Sequence, residues 1–414
     1  MSLLDEPIPA LSDALQPPVI HGVAELTTYA YHGNGFDRLV ARINNSHDDT
    51  ARLFDTAIAC QLDFRRTEGL DLQNEVLERG QVFRVRGPHL SARPLRLLAV
   101  MGPGDLMVNT PLDFLTNYLD VRLDLLHLLP GRPLPAVIPD HEVAFFALSE
   151  ADPETLRRLR QLFDTWPRPA LNDPRYLRAT QRDTLSKSLE GVASIHSPRA
   201  RSATRDELEA HLAQGSPIGD FDPSRGPYPC LIRPRVSHAG AGLAKITDPA
   251  ELNTYLRTTF ESDFYVTAFE EYASADGYYR KSRVAFIDRE PFLCHMAISR
   301  DWMVHYLNAG MTESPKKRQQ EAEAMARFDQ DFAARHAEAF AALHERLGFD
   351  FYSIDCSETR DGRLLVFEAD AAAIIHLMDP EDLFPYKQPQ MRRVFEAFGA
   401  MLERRAGWSV AKKI

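Results

Sequence analysis

Apolar residues recur along this chain with two periods, and the change between them divides it into regions. Over 50–64, Ala51, Phe54, Ala57, Ile58 and Leu62 fall close to helical spacing. Leu72, Val76, Leu77 and Val82 make a similar stripe over 70–85, so residues 1–91 read as a helical N-terminal segment. Near Pro94 the pattern shifts. Residues 95–100 are a short apolar run ended by Met101-Gly102-Pro103-Gly104, and 121–129 and 143–149 are further strand candidates. Helical stretches at 111–118 and 152–163 alternate with them, the second with Pro153 at its first position after Asp152. Strands alternating with helices predict a small parallel α/β domain over 92–175. Gly102–Asp105 and Asn109 then sit at a strand's carboxyl end, where such sheets bind ligands, unless they form a plain turn.

Residues 176–414 return to short strands. A helix over 183–189 precedes apolar or alternating runs at 229–234, 243–246, 264–269 and 278–286. A long helix is expected over 315–347, capped by Ser314, with Pro315 in its first turn and Gly348 as its stop. Phe328, Phe332, Phe340, Leu343 and Leu347 would be its buried stripe. A final helix over 390–404 turns Val394, Phe395, Phe398 and Leu402 inward. The units within this part are set at 176–268 and 269–414.

Between those helices, two apolar runs, 351–356 and 364–367, flank Asp361-Gly362. Asp-Gly in that setting is a strong hairpin signal and predicts a two-residue type I′ turn. Such a turn sets Asp355 directly opposite Glu368, with Asp370 two residues on along the same face. Like charges opposed across a ladder are destabilising. A cation between them would remove the repulsion, and carboxylate oxygens on a strand pair suit Mg²⁺ or Mn²⁺, often with nucleotide phosphates completing the shell. The other reading is a solvated hairpin with acidic decoration; Ile354, Val366 and Phe367 argue for burial.

The run at 229–234 ends in Arg233-Pro234 and leads to Ser237-His238-Ala239-Gly240-Ala241-Gly242. A small-residue loop between strands can bring backbone N–H groups against phosphate oxygens, with Arg233 as a guanidinium partner, or it can be a simple hairpin turn. It is no Walker loop, and no helix follows the glycines as a dinucleotide fingerprint requires. Over 278–286, Lys281 and Arg283 share a strand face, as a phosphate contact or an exposed charged face. His295, Arg300, Trp302, His305 and Tyr306 crowd the next segment and suit either a substrate pocket or packing.

Composition narrows the class. The 414 residues suffice for two or three units, and 44% hydrophobic with 26% charged residues is ordinary for a globular chain. A formal net charge of −11 argues against nucleic acid or an anionic membrane as the main partner. The four cysteines are widely spaced with no Cys-x-x-Cys, the pattern of reduced, buried thiols in a cytoplasmic protein. The acidic, proline-interrupted start is no secretory signal, and no apolar run approaches the ~20 residues that span a bilayer.

Taken in order, the elements resemble the ATP-grasp superfamily. The order is strand, small-residue loop, strand; a strand leaving through Phe269-Glu270; a basic strand; a long helix; then a hairpin with Asp355 on one strand and Glu368-x-Asp370 on the next. The match covers about 176–400, and 92–175 looks like the α/β domain that precedes it in that superfamily. More narrowly, the whole chain resembles the ATP-grasp domains of some bacterial tetratricopeptide-repeat proteins. The resemblance implies an ATP-grasp fold: a pre-ATP-grasp α/β domain, then two α+β subdomains clamping ATP, here behind a helical N-terminal segment. It implies ATP-dependent carboxylate–amine ligation through an acyl phosphate, with ATP and Mg²⁺ (or Mn²⁺) as cofactors. Asp355, Glu368 and Asp370 would be the metal ligands, with Asp370 where the family has Asn. Lys187, Arg233, Ser237, His238, Gly240, Gly242, Phe269, Glu270, Asp276 and Lys281 would hold the nucleotide. Phe269 and Glu270 would be the adenine hinge and Asp276 the ribose contact. Arg283 and Arg233 would act on the phosphates and acyl phosphate. The family's element after Glu-x-Asn is replaced by Ala371-Ala372-Ala373-Ile374-Ile375-His376, which makes His376 a substrate contact or base, beside Arg300 and His305. The substrates would be small-molecule or peptide carboxylates and amines. For residues 1–90, homodimer formation, partner docking and capping all remain open.

Overall fold

In the computed structural model, residues 6–32, 36–87, 91–215, 218, 226–235 and 240–408 are described. The fold is mixed α/β with a helical N-terminal segment. A six-stranded sheet runs in the order Val19–Ile20, Val82–Val85, Val121–His127, Leu95–Met101, Val143–Phe146 and Ala170–Leu171. All its pairings are parallel except that of Val82–Val85 with Val121–His127. Leu95–Met101 and Val121–His127 are almost wholly buried, which is why they read as continuous apolar runs rather than alternating ones.

The N-terminal segment is stitched into this sheet. Helix Asp49–Leu62 is capped by Asp48, whose side chain accepts from the N–H groups of Thr50 and Ala51. The helix expected over 70–85 ends instead at Arg79, and Val82–Val85 is a strand. Gly80 is in extended conformation and stops the helix; the alternate burial of Val-Phe-Arg-Val then suits a sheet position.

A five-stranded sheet runs Glu290–Ser299, Tyr279–Ile287, Phe351–Glu358, Leu364–Asp370 and Ile195–His196. It shares one continuous apolar core with the six-stranded sheet, from Ile20 to Leu402. Asn172 helps to join the two: its side chain donates to the Phe351 carbonyl oxygen and accepts from the Phe351 N–H, both at 2.8 Å. A third, antiparallel sheet (Ala200–Thr204, Asp263–Ala268, Cys230–Pro234, Ala244–Ile246) has its own smaller core around Ile232, Leu252, Phe264 and Val266. All four cysteines are free and buried. Among the described residues, no helix is long and apolar enough to cross a membrane.

The helix expected over 315–347 is broken into Pro315–Arg327, Phe332–Arg335 and Ala337–Leu347. Ser314 does cap its start, accepting from Lys317 N–H, and Gly348 does end it in the left-handed region. An unbroken helix of that length would run about 50 Å, against roughly 30 Å for the strands it covers. Asp331, at ψ −86°, breaks the ladder, and Phe328 and Phe332 stack at 5.9 Å between ring centroids.

Candidate active site

Three adjacent strands build the centre of the site. Tyr279–Ile287 pairs Arg283 with Asp355, and Phe351–Glu358 pairs Asp355 with Glu368. One rung therefore carries a guanidinium and two carboxylates. The expected opposition of Asp355 and Glu368 is present, but the turn differs. Near the turn, Glu358 pairs with Leu364, and Thr359 and Arg363 close a three-residue loop with Gly362 at φ 83°. A register shift between Asp355 and Cys356 then brings the carboxylates level. The longer loop and this bulge cancel each other.

Asp355 is buried (3% exposed) and doubly paired. Arg283 donates from Nε to Oδ1 at 2.8 Å, and Lys281 Nζ lies 2.8 Å from Oδ2. Burial alone would push this carboxyl up, but Arg283 and Lys281 outweigh it and hold it well below the usual carboxylate range. Glu368 holds the guanidinium of Arg182, from helix Arg182–Ser188, and that charge lowers it against burial. Asp370 stands across from Ser353, accepts from Ala372 N–H at 2.7 Å and is pushed up to about 6, chiefly by burial, with Glu368 adding to it. Burial and the neighbouring Arg182 charge bring Arg233 down to about 10. Three carboxylates thus meet four cations drawn from the basic strand, the helix at 182–188 and the four-stranded sheet.

The small-residue loop reaches the same place. Gly240 and Gly242 both have left-handed backbones, φ 76° and 67°. A Cβ on Gly240 would lie 2.4 Å from His305 Nε2, so only glycine lets the loop rest on that imidazole. Tyr255 OH donates to the Gly242 carbonyl oxygen at 2.8 Å. Ser237 and His238 lie outside the described residues.

Other expected residues fall elsewhere. Lys187 is exposed on helix Arg182–Ser188, and Arg182, five residues earlier and off its face, takes the inward position. The Phe269 N–H donates to the Pro229 carbonyl oxygen, so it is not available to an adenine; its ring lies 3.5 Å from Lys245 Nζ. Glu270 is half-buried beside His196, 3.1 Å away. Asp276 sits at an exposed turn paired with Arg280 at 2.7 Å, and Arg300 stacks on Tyr278 at the surface. His376 Nδ1 accepts from Met378 N–H, and burial brings the ring down to about 4, leaving it neutral.

Sequence reasoning missed Arg182 and a buried network behind the site. Glu321 is fully buried and accepts from Met296 N–H, Tyr306 OH and Tyr386 OH. Lys387 Nζ donates to Asp379 and Tyr306 OH. This network ties the segment bearing His305 to the one bearing His376. The single cue to Arg182 was its place one turn before Leu185 and Ser186, which are buried.

The expected three-carboxylate cage is not formed. Among the described residues, no set of three His, Cys, Asp or Glu side chains is arranged to hold a metal ion. Lys281, Arg283 and Arg182 supply the positive charge that relieves the repulsion. Asp355 and Glu368, opposed on one rung, are the oxygen donors that would hold a magnesium ion, with phosphate oxygens and water completing its shell.

No family model and no curated protein matches the chain. Solved structures similar to it include the VanG D-Ala:D-Ser ligase of Enterococcus faecalis, at 14% identity over 76% of this chain and 99% of that one, TM-score 0.45. The D-alanyl-alanine synthetase A of Vibrio cholerae is 11% identical over 77% of this chain and 100% of that one, TM-score 0.46. A RimK domain protein ATP-grasp of Sphaerobacter thermophilus is 17% identical over 75% and 99%, TM-score 0.37. At TM-scores below 0.5 these likenesses assign the chain to no family.

Proposed function

We propose that this protein is an ATP-dependent ligase of the ATP-grasp type that joins a carboxylate to an amine and releases ADP and phosphate. The observation that carries this reading is the convergence of Lys281, Arg283, Arg182 and Arg233 on the Asp355–Glu368 rung, under a glycine loop from a separately cored sheet. Four cations drawn together exceed what three carboxylates need, and a polyphosphate is the ligand that uses the surplus. Arg233 and Arg182 approach from the side of the four-stranded sheet and would neutralise the outer phosphates. Arg283 and Lys281, level with the carboxylates, would steady the phosphoryl group in flight. Magnesium, when bound on Asp355 and Glu368, offsets charge between the outer phosphates. The substrate carboxylate attacks the γ-phosphorus and displaces ADP; the amine then attacks the acyl phosphate and expels phosphate. His376, neutral and with Nδ1 already accepting from Met378 N–H, carries its hydrogen on Nε2 and is the candidate hydrogen-bond donor to a substrate oxygen. Closure of the Gly240 loop onto His305 would exclude water from the acyl phosphate.

A second reading is a nucleotide-binding regulator without ligase chemistry. The complete pairing of Asp355 and Glu368 with basic side chains favours it. The separating experiment is ADP release from ATP and Mg²⁺ against pooled amino acids, di-acids and amines, with Glu368→Ala as control. The ligase requires release that depends on one pool and disappears in a folded Glu368→Ala protein. Nucleotide binding without turnover on any pool would reject the ligase in favour of the regulator.

A further inference from the structure

Asp355 and Glu368 stand level on one rung but are held differently. Both oxygens of Asp355 are engaged, by Arg283 Nε at 2.8 Å, Arg283 Nη2 at 3.3 Å and Lys281 Nζ at 2.8 Å. Its side chain is 4% exposed, and both partners come from Tyr279–Ile287, the strand hydrogen-bonded to its own. Those contacts are built into the sheet. Glu368 is more open, 29% exposed, and among the described residues Arg182 is its one ion-pair partner. Arg182 Nη2 donates to Oε2, and the arginine side chain is itself 29% exposed.

The short helix that carries Arg182 touches both parts of the molecule. Leu185 packs in the large apolar core. Ser186 Oγ accepts from Ala200 N–H at 3.3 Å, and Ser202 Oγ donates to Asp183 Oδ2 at 3.3 Å. Ala200 and Ser202 lie on the edge strand of the four-stranded sheet, which also carries Arg233 and the Gly240 loop. Arg182 thus links that sheet to the carboxylate rung by one accessible charged contact. The balance of charge sets what can break it. Asp355, Glu368 and Asp370 face Lys281, Arg283, Arg182 and Arg233. A lone divalent cation would meet no excess of negative charge and would find Glu368 already taken. A polyphosphate reverses both conditions, since it brings negative charge and its oxygens accept a guanidinium as a carboxylate does.

We propose that Arg182 is a charge gate on Glu368: it keeps out a lone divalent cation and moves to the phosphates when nucleotide enters, so that metal and nucleotide are taken up together. The gate rests on the ligase reading, which makes Glu368 a metal ligand. A merely structural brace would set stability and leave cation affinity unchanged.

Mn²⁺ is the probe, with its free concentration followed by electron paramagnetic resonance on the full chain, alone and with a non-hydrolysable ATP analogue. Wild type should hold Mn²⁺ at least about tenfold more tightly with the analogue than without it. Arg182→Gln, checked for folding by circular dichroism, should hold Mn²⁺ alone at least about tenfold more tightly than wild type. By calorimetry it should bind the metal-free analogue at least about tenfold more weakly. Arg182→Lys, which keeps the charge, should stay near wild type in both. Adding Glu368→Gln to Arg182→Gln should erase the gain in Mn²⁺ affinity. Unchanged or weaker Mn²⁺ binding in folded Arg182→Gln, or a gain that survives Glu368→Gln, would overturn the gate and leave the ligase reading standing. So would a wild type that holds Mn²⁺ as tightly without the analogue as with it. A wild type that binds neither Mn²⁺ nor the analogue would overturn the ligase reading and the gate together.

Discussion

Replacing Asp355 by Asn removes one charge and almost no volume, so the loss reports electrostatics directly. The carboxylate lies 2.8 Å from both Lys281 Nζ and Arg283 Nε. At an effective dielectric of about 20, each such contact is worth roughly 5–6 kcal/mol of bare attraction. Repulsion from Glu368 and the desolvation of Asp355 itself offset much of this. What remains is the cost of leaving buried cations short of a partner, about 3–5 kcal/mol where a buried pair is broken. Glu368 and Asp370 stay within reach of Arg283, so we expect the low end, about 3 kcal/mol. Urea denaturation followed by circular dichroism should show a lower midpoint at unchanged slope. Asp355 is held below its ordinary value of 3.8, so its contribution is complete above that pH and fades as pH falls beneath it. The gap between wild type and Asp355→Asn should thus be constant from pH 8 to about 5 and narrow below about 4. A loss under about 1 kcal/mol, or a gap that closes between pH 8 and 6, would refute the claim that Asp355 is ionised and doubly paired.

Three further outcomes are expected. Asn172→Ala strips the Phe351 N–H and carbonyl of their partner and puts alanine at φ 58°; unfolding should show a loss of about 3 kcal/mol. Asp113 is raised by burial from 3.8 to about 6, so the native state holds its proton more tightly and stability falls as pH rises through that window. Asp113→Asn should match wild type near pH 4 and exceed it by up to about 3 kcal/mol at pH 8 in thermal melts. Gly240→Ala combines φ 76° with a Cβ 2.4 Å from His305, so ATP affinity by calorimetry should fall at least about tenfold while the melting profile is retained.

The sequence by itself determined most elements and the heart of the candidate site. Apolar runs marked the buried strands, Asp152 and Ser314 marked helix starts, and side-chain alternation put Lys281 with Arg283 and Glu368 with Asp370. Those signals are local, because periodicity and capping act within a few residues. Even the opposition of Asp355 and Glu368 came out level only because a longer loop and a bulge compensate, and neither is legible as a pattern. Tertiary structure decided the rest. Arg182 meets Glu368 across 186 positions of chain, and Asn172 meets Phe351 across 179, contacts that no local pattern encodes. The helix breaks after Arg327, with Asp331 out of the helical region, while the helical pattern of the sequence itself ran on. It also decided that guanidinium and ammonium groups stand where carboxylate spacing alone had suggested a metal cage. Spacing reveals that charges will meet; only the packed fold reveals which opposite charges arrive from elsewhere to meet them.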